Sequence, residues 1–211
     1  MENNLTISNY SYPENKKALE PLLWIGLVSI IMFFAGLTSA VIVSSTSSAW
    51  KIFTLPNTFW YSSLAIILSS ITYQIGFHLV KTNNLIFPKI LFILTLILGF
   101  IFIYFQYEGL SYLYQQGIYA TGNKSTTSSS YLYILTVFHV LHLFFGIISL
   151  VVVTTKSLIN KYNSEQFLGI KLSLTYWHFL GILWLYLFMF LIILFLMYYS
   201  LVPFLIFHFQ F

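Results

Sequence analysis

The chain has 211 residues, of which 59% are apolar, 20% are aromatic and only 7% are charged. A soluble domain usually carries about 25% charged residues, so this composition predicts an integral membrane protein. The positive charges are all lysines, which gives no support to a nucleic-acid partner, and the absence of Cys excludes disulfides and cysteine-ligated metal clusters.

Five apolar runs are long enough to cross a bilayer, which takes about 20 helical residues. We predict one all-α membrane domain over residues 1–211, in which a polar tail at 1–20 precedes five transmembrane helices. The tail contains no short hydrophobic region with a small-residue cleavage site, so we expect the first span to be uncleaved. The predicted spans are 22–44, 58–80, 86–107, 131–153 and 172–201.

The lysines predict the orientation of these spans. Seven of the nine lie in the tail or in and beside the loops after the second and fourth spans, and only Lys51 and Lys124 lie in the other loops. Because lysines concentrate on the cytoplasmic side, we expect the amino terminus and the tail inside and the carboxyl terminus outside. The longest outer loop, 108–130, is rich in Ser, Thr and Gly and is predicted to be an exposed excursion.

The interiors of the predicted spans contain no Asp, Glu, Lys or Arg. Ion pathways and proton relays in membranes are normally marked by such charges. Glu20 and Glu108 lie at span ends, where they can reach water. The chain also has no internal repeat of the kind on which many transporters are built, so the sequence disfavours a transporter.

Four histidines nevertheless lie inside the predicted spans: His78 near the end of the second span, and His139, His142 and His178. His139 and His142 share one helix face, because three residues turn an α-helix by about 300°. Haem ligation from two sides would need His178 of the fifth span, and the predicted depths separate it from the other two by about 10 Å at 1.5 Å per residue. This depth difference argues against haem ligation. The alternatives are haem or copper ligation, contacts with lipid or a partner, and hydrogen bonds to hydroxyls or carbonyls of neighbouring helices, worth about 0.6 kcal/mol each. We expect the hydrogen bonds.

Two tryptophans and a glutamine are further candidates for helix packing. Trp177 lies near the start of the fifth span, where an interfacial anchor is expected, whereas Trp184 lies deeper and is predicted to pack between helices. Gln106 closes the third span beside Glu108 and is expected to cap or pair locally. Polar residues of the second span predict a helix packed against protein rather than lipid: Ser62, Ser63, Ser69, Ser70, Thr72 and Gln74.

Several of these stretches resemble subunit III of the haem–copper terminal oxidases. "SSSYLYILTVFHVLHLFFG" is similar to the family's serine-led helix with its H-x-x-H-x-x-x-G pattern, through His139, His142 and Gly146. "LSLTYWHFLGILWLYLF" resembles the W-H-F-x-D-x-x-W signature, with Trp177 and Trp184 in register.

Three more motifs extend the resemblance over about residues 20–200, in the family's order. "LPNTFWYSSLAIILSSITY" resembles a helix led by Pro, Asn and Thr, here with Asn57; "WIGLVSIIMFFAGLTSA" resembles a helix that usually contains Glu before M-F-F; and "LGFIFIYFQYEG" matches a Leu-Gly…Gln helix ending near Gln106. In this chain Ile30 occupies the position of that Glu, and Gly181 that of the Asp after W-H-F. The five spans resemble the short form of the family, which lacks two amino-terminal helices.

The resemblance implies a non-catalytic subunit without catalytic, cofactor-binding or metal-binding residues, while haem and copper reside in subunits I and II. It implies that the chain flanks subunit I and holds phospholipid in a cleft between spans one–two and spans three–five. The proton-antenna or ion-pair roles of the two missing acids are not implied for this chain. The candidates for lipid contact or helix packing are Asn57, Gln106, His139, His142, Trp177, His178 and Trp184.

The implied partners are subunits I and II and phospholipids, in a proton-pumping oxygen reductase of a bacterial inner membrane. The electron donor, cytochrome c or quinol, the haem type of the partner subunit and membership of a larger respiratory supercomplex stay open. An alternative is a subunit-III-like assembly or activation protein of the type associated with nitric-oxide reductases.

Overall fold

In the computed structural model, the described residues are 18–46, 50, 55–82, 86–122, 125–159 and 167–208, with side chains described as far as Met197. They form five α-helices, each with a stretch long and apolar enough to span a membrane, and no strand occurs among them. This confirms the predicted all-α fold, while most of the polar tail lies outside the described residues. The helices are α1 (Leu19–Ser44), α2 (Thr58–Lys81), α3 (Phe87–Gln115), α4 (Thr127–Leu158) and α5 (Leu168–His208).

Both ends of the predicted outer loop 108–130 are helical. The α3 helix continues past the predicted end at residue 107 to Gln115, and α4 begins at Thr127 rather than at 131. A capping box starts α4: Thr126 accepts the backbone N–H of Ser129 at 3.3 Å, and Ser129 Oγ accepts the backbone N–H of Thr126 at 3.0 Å. The prediction failed here because hydropathy reports where the apolar side chains end, not where the backbone hydrogen bonds end.

Four of the helices form a closed ring in chain order. The α2 helix packs on α3, α3 on α4, α4 on α5 and α5 on α2. The described backbones of the two diagonal pairs stay apart, but side chains of α3 and α5 meet at the centre, where the rings of Phe102 and Trp184 lie 5.6 Å apart. Buried aromatic and aliphatic side chains fill the ring, among them Phe59, Phe102, Leu143 and Trp184. A ring of this kind buries one stripe of each helix and leaves the remaining faces for lipid.

The α1 helix lies outside this ring and packs only on α4 and α5 in the described part of the chain. Thr38 and Tyr186 share a hydrogen bond of 3.0 Å between α1 and α5, and Ser44 donates to the Tyr131 hydroxyl of α4 at 2.9 Å. The helices are therefore not grouped as predicted, since α1 was expected to pair with α2. The hydroxyl-rich face of α2 contacts α3 and α5 instead.

An ion pair joins the first turns of α1 and α5. Lys171 Nζ lies 2.7 Å from Glu20 Oε1, so the two helices begin at the same end of the bundle. Large apolar side chains such as Leu22, Met32 and Ile182 are more than 60% exposed on the outer faces, which suits contact with lipid tails. Which end of the bundle faces the cytoplasm stays a prediction.

Candidate functional site

Two buried tryptophans join α5 to α2. Trp177 and Trp184 are 1% and 2% exposed, and each indole N–H donates a hydrogen bond of 3.0 Å, to Ser69 Oγ and Ser63 Oγ respectively. Trp177 was expected at the membrane interface. It lies in the core because α5 begins at Leu168, which places Trp177 more than two turns inside the helix.

A second set of polar contacts joins α3 to α2. Gln106 is buried, and its Nε2 donates to Ser62 Oγ at 3.0 Å. The hydroxyls of Thr72 and Thr95 lie 2.9 Å apart and share a hydrogen bond. Gln106 was expected to cap or pair locally, but α3 continues beyond it, so the amide crosslinks two helices instead.

His139 lies at the centre of the ring with no accessible surface. Its imidazole packs against the rings of Phe102 and Trp184, with centroid separations of 6.1 Å and 5.4 Å. Neither ring nitrogen has a hydrogen-bond partner among the described residues. This differs from the expectation that the histidines bond to neighbouring helices, because the surrounding side chains are aromatic.

His142 faces the opposite way from the ring's centre, towards α1. Its Nδ1–H donates to the backbone oxygen of Phe138, one turn earlier in its own helix, at 2.6 Å, and its ring lies edge-on to Phe34 of α1 at 5.7 Å. The backbone oxygen of His142 accepts a hydrogen bond of 3.0 Å from the Tyr176 hydroxyl of α5. The residue thus helps three helices to meet.

His178 hydrogen-bonds to a different helix. Its Nε2 lies 3.1 Å from Oε1 of Gln74 on α2. Together with the two indole bonds, this contact is the third side-chain hydrogen bond between α5 and α2. Within the described ranges, no group of three His, Cys, Asp or Glu side chains could hold a metal ion.

Glycines set the closest approaches between helices. A Cβ added at Gly99 would lie 2.9 Å from the ring of Trp177, and one added at Gly146 would lie 2.6 Å from Leu180. Small residues at such crossings let helix backbones approach each other closely in membranes. The glycine of the H-x-x-H-x-x-x-G pattern therefore accommodates a side chain of α5.

The two positions where the resemblance leads one to expect acids lie on different surfaces. Ile30 packs against the apolar cluster between α1, α4 and α5, which includes Phe34 and Leu135. Gly181 borders a cavity of about 170 Å³ between α2 and α5, with Ser70 and His178 among its lining residues. Neither position offers an ionisable side chain.

The sequence matches the cytochrome c oxidase subunit III family over residues 6–197. The chain belongs to this family.

Curated relatives agree with that membership. A probable cytochrome c oxidase subunit 3 of Mycobacterium leprae is 28% identical over 178 residues, which cover 82% of this chain and 86% of the relative. Cytochrome c oxidase subunit 3 of Corynebacterium diphtheriae is 29% identical over 165 residues, 75% of this chain and 79% of the relative. That of Rhipicephalus sanguineus is 32% identical over 129 residues, 61% of this chain and 48% of the relative.

Membership of the subunit III family makes the chain a multi-pass membrane subunit of an oxidase complex. Its motif residues His139, Gly146, Trp177 and Trp184 meet at the centre or along the seams of the four-helix ring. His142, by contrast, belongs to the contact with α1. Asn57 precedes α2 as its N-cap residue, but its side chain makes no capping hydrogen bond.

Sequence reasoning missed the partners of the subunit III tryptophans. Trp177 and Trp184 are seven residues apart, so they lie on one face of α5 two turns apart. Their partners Ser69 and Ser63 are six residues apart on α2, so the spacing of the serines gave no matching signal. No comparable signal pointed to Thr38, Tyr176 or Tyr186, whose hydroxyls bond across helices.

Proposed function

We propose that this chain is the non-catalytic subunit III of a proton-pumping haem–copper oxidase in a bacterial inner membrane. It stabilises subunit I and holds structural phospholipid. Haem and copper belong to subunits I and II, and the residues of this chain serve helix packing and lipid contact. Bacterial relatives of similar length support the proposed location in a bacterial inner membrane.

The observation that carries the proposal is that buried polar side chains of this chain hydrogen-bond to a neighbouring helix. The indoles of Trp177 and Trp184 and the amide of Gln106 all bond to serines of α2. Such groups crosslink helices, and no buried side chain pairs with a carboxylate in the described core. An interior of this composition suits a structural subunit.

The positions of the acids support the same proposal. Among the described residues, the only carboxylates are Glu20 in the first turn of α1 and Glu108 near the end of α3. Proton relays inside membranes use chains of ionisable side chains. Described helix interiors without carboxylates suit a scaffold beside the proton-pumping subunit rather than a proton path.

An affinity tag on this chain tests the proposal. Membranes are solubilised in mild detergent, and we expect subunits I and II to co-purify with haem and oxygen-reducing activity. The chain expressed without its partners should show no Soret absorption band. Stoichiometric haem in the isolated chain, surviving detergent washes, would overturn the non-catalytic assignment.

Purification through an affinity tag on subunit I separates the alternative function. An assembly or activation protein would associate transiently with its reductase and be absent from the mature complex. We therefore expect equal amounts of this chain and subunit I in the purified oxidase, measured by quantitative mass spectrometry. Recovery of active oxidase without this chain from wild-type membranes would favour the assembly role.

A further inference from the structure

A cavity of about 580 Å³ lies between the start of α2 and the end of α3. Glu108 lines it, together with the aromatic side chains of Tyr61 and Tyr112 and the polar side chains of Asn57 and Gln115. Among the described residues that line this cavity, none is basic. It therefore combines one negative charge with two aromatic faces and neutral hydrogen-bonding groups.

Glu108 differs in its surroundings from the other described carboxylate. Glu20 is paired with Lys171 at 2.7 Å, whereas no described lysine lies within ion-pair distance of Glu108. A carboxylate that has no cationic partner among the described residues can attract a cation into the cavity beside it. Aromatic faces beside it add cation–π attraction, which is how proteins recognise alkylammonium groups.

The depth of the cavity indicates where that cation comes from. Glu108 follows the first residue of α3, Phe87, by about 32 Å at 1.5 Å per residue. The hydrocarbon core is about 30 Å thick, so the carboxylate lies at the level of the lipid headgroups. Tyr61 and Tyr112 are 60% and 46% exposed, as expected for tyrosines at this level.

One polar group at the cavity lacks the partner that its position normally provides. Asn57 is the N-cap residue of α2, and asparagine is among the best capping residues, yet its side chain makes no capping bond. The side chain of Asn57 therefore retains hydrogen-bonding capacity for a ligand.

We propose that this cavity binds the alkylammonium headgroup of a phospholipid, ethanolamine or choline, with Glu108 as the counter-ion. The site rests on the proposed function, since it specifies one of the phospholipids that the subunit holds. It lies within the α2–α3 pair, at the end of the bundle where α2 begins. The tyrosine rings flank the ammonium group, and the acyl chains follow the exposed apolar faces of α2 and α3.

The test measures lipid binding to the intact, delipidated oxidase complex by native mass spectrometry. Phosphatidylethanolamine and phosphatidylglycerol with identical acyl chains are titrated against wild type and Glu108→Gln, which keeps the shape of the side chain and removes its charge. We expect one site on the wild type to prefer phosphatidylethanolamine about tenfold, and Glu108→Gln to reduce that preference to within twofold. A preference unchanged in Glu108→Gln would overturn the proposal.

Two control variants sharpen the result. Glu20→Gln removes the other described carboxylate, and we expect it to keep the tenfold preference. Lys51 precedes the cavity wall in sequence, and Lys51→Gln should also keep the tenfold preference. A loss of preference in Lys51→Gln equal to that in Glu108→Gln would show that the carboxylate pairs with this lysine, and would overturn the proposal. Glycerophosphoethanolamine, which lacks acyl chains, should bind at least tenfold more weakly, and equal binding would overturn the lipid assignment.

The experiment also separates this inference from the proposed function. A complex that binds both lipids stoichiometrically without a preference would refute the headgroup site and leave the lipid-holding role intact. A complex that binds neither lipid would refute the lipid-holding role itself. Tyr112→Leu provides a second variant of the site, with an expected loss of about threefold in the preference, whereas Tyr112→Phe should retain it.

Discussion

The imidazole of His139 lies beside the indole of Trp184, with ring centroids 5.4 Å apart and planes inclined by 36°. The indole N–H bonds to Ser63, whereas neither nitrogen of the imidazole has a partner among the described residues. Of two polar rings at the centre of one bundle, the indole is therefore hydrogen-bonded and the imidazole has no partner among the described residues. The difference predicts opposite responses to their replacement by apolar side chains.

Replacing His139 by leucine is expected to leave stability unchanged or to raise it by up to about 1 kcal/mol. A buried polar group without a partner costs about 1–3 kcal/mol, and leucine is an apolar side chain of similar size. Thermal unfolding of the purified complex measures the effect. The control is His178→Leu, which removes the bond to Gln74 and should cost about 0.6 kcal/mol. A loss of more than about 2 kcal/mol in His139→Leu would show that this imidazole is hydrogen-bonded.

The bond between Trp184 and Ser63 can be measured with a double-mutant cycle. Trp184→Phe and Ser63→Ala each remove one partner, and the coupling free energy between them is expected to be about 0.6 kcal/mol, and at most about 1.7. Unfolding in mixed detergent micelles provides the free energies. Trp24→Phe with Ser63→Ala is the matched control, because Trp24 is exposed on α1 and should show no coupling. Equal coupling in both cycles would contradict a direct contact.

Alanine substitutions should distinguish glycines that are required at a helix crossing from glycines that have open space around them. A Cβ at Gly99 would lie 2.9 Å from the rigid ring of Trp177, while Gly26 has no neighbour within 4 Å. We expect Gly99→Ala to cost about 1–3 kcal/mol through overpacking. Gly26→Ala should instead stabilise α1 by up to about 1 kcal/mol, the difference in helix propensity. Thermal unfolding of the two variants should therefore shift in opposite directions.

Hydrophobic carbodiimides should not label the membrane interior of this subunit. They attack protonated carboxyl groups, the form that a buried acid usually adopts, and Ile30 occupies the position where the family usually has Glu. Peptide mapping by mass spectrometry tests this, with Ile30→Glu as the positive control. An adduct within α1 of the wild-type chain would refute it.

The same variant tests whether the missing acid matters for proton pumping. A charged carboxylate at a helix centre costs about 2.5–3.5 kcal/mol, and Ile30 lies in an apolar cluster. We expect Ile30→Glu to lower stability without raising the number of protons pumped per electron in reconstituted vesicles. A large rise in pumping would mean that the chain is handicapped by the lack of this acid.

The sequence alone determined the class of the protein, the number of its spans and its family. Span number follows from the length of apolar runs, which depends only on the bilayer thickness and the helical rise. The motifs around His139 and Trp177 identified the family because they occur in order along the chain. The helix ends were less accurate, as at Gln115, where polar residues continue a helix beyond the apolar run.

Only the tertiary structure decided which helices are neighbours and which polar groups find partners. Hydropathy is the same for a residue that faces lipid and one that faces another apolar helix, so it could not place α1 against α4 and α5. A hydrogen bond also needs two side chains at one depth on facing helices. Trp184 meets this condition through Ser63, whereas His139, equally buried, faces aromatic rings and does not.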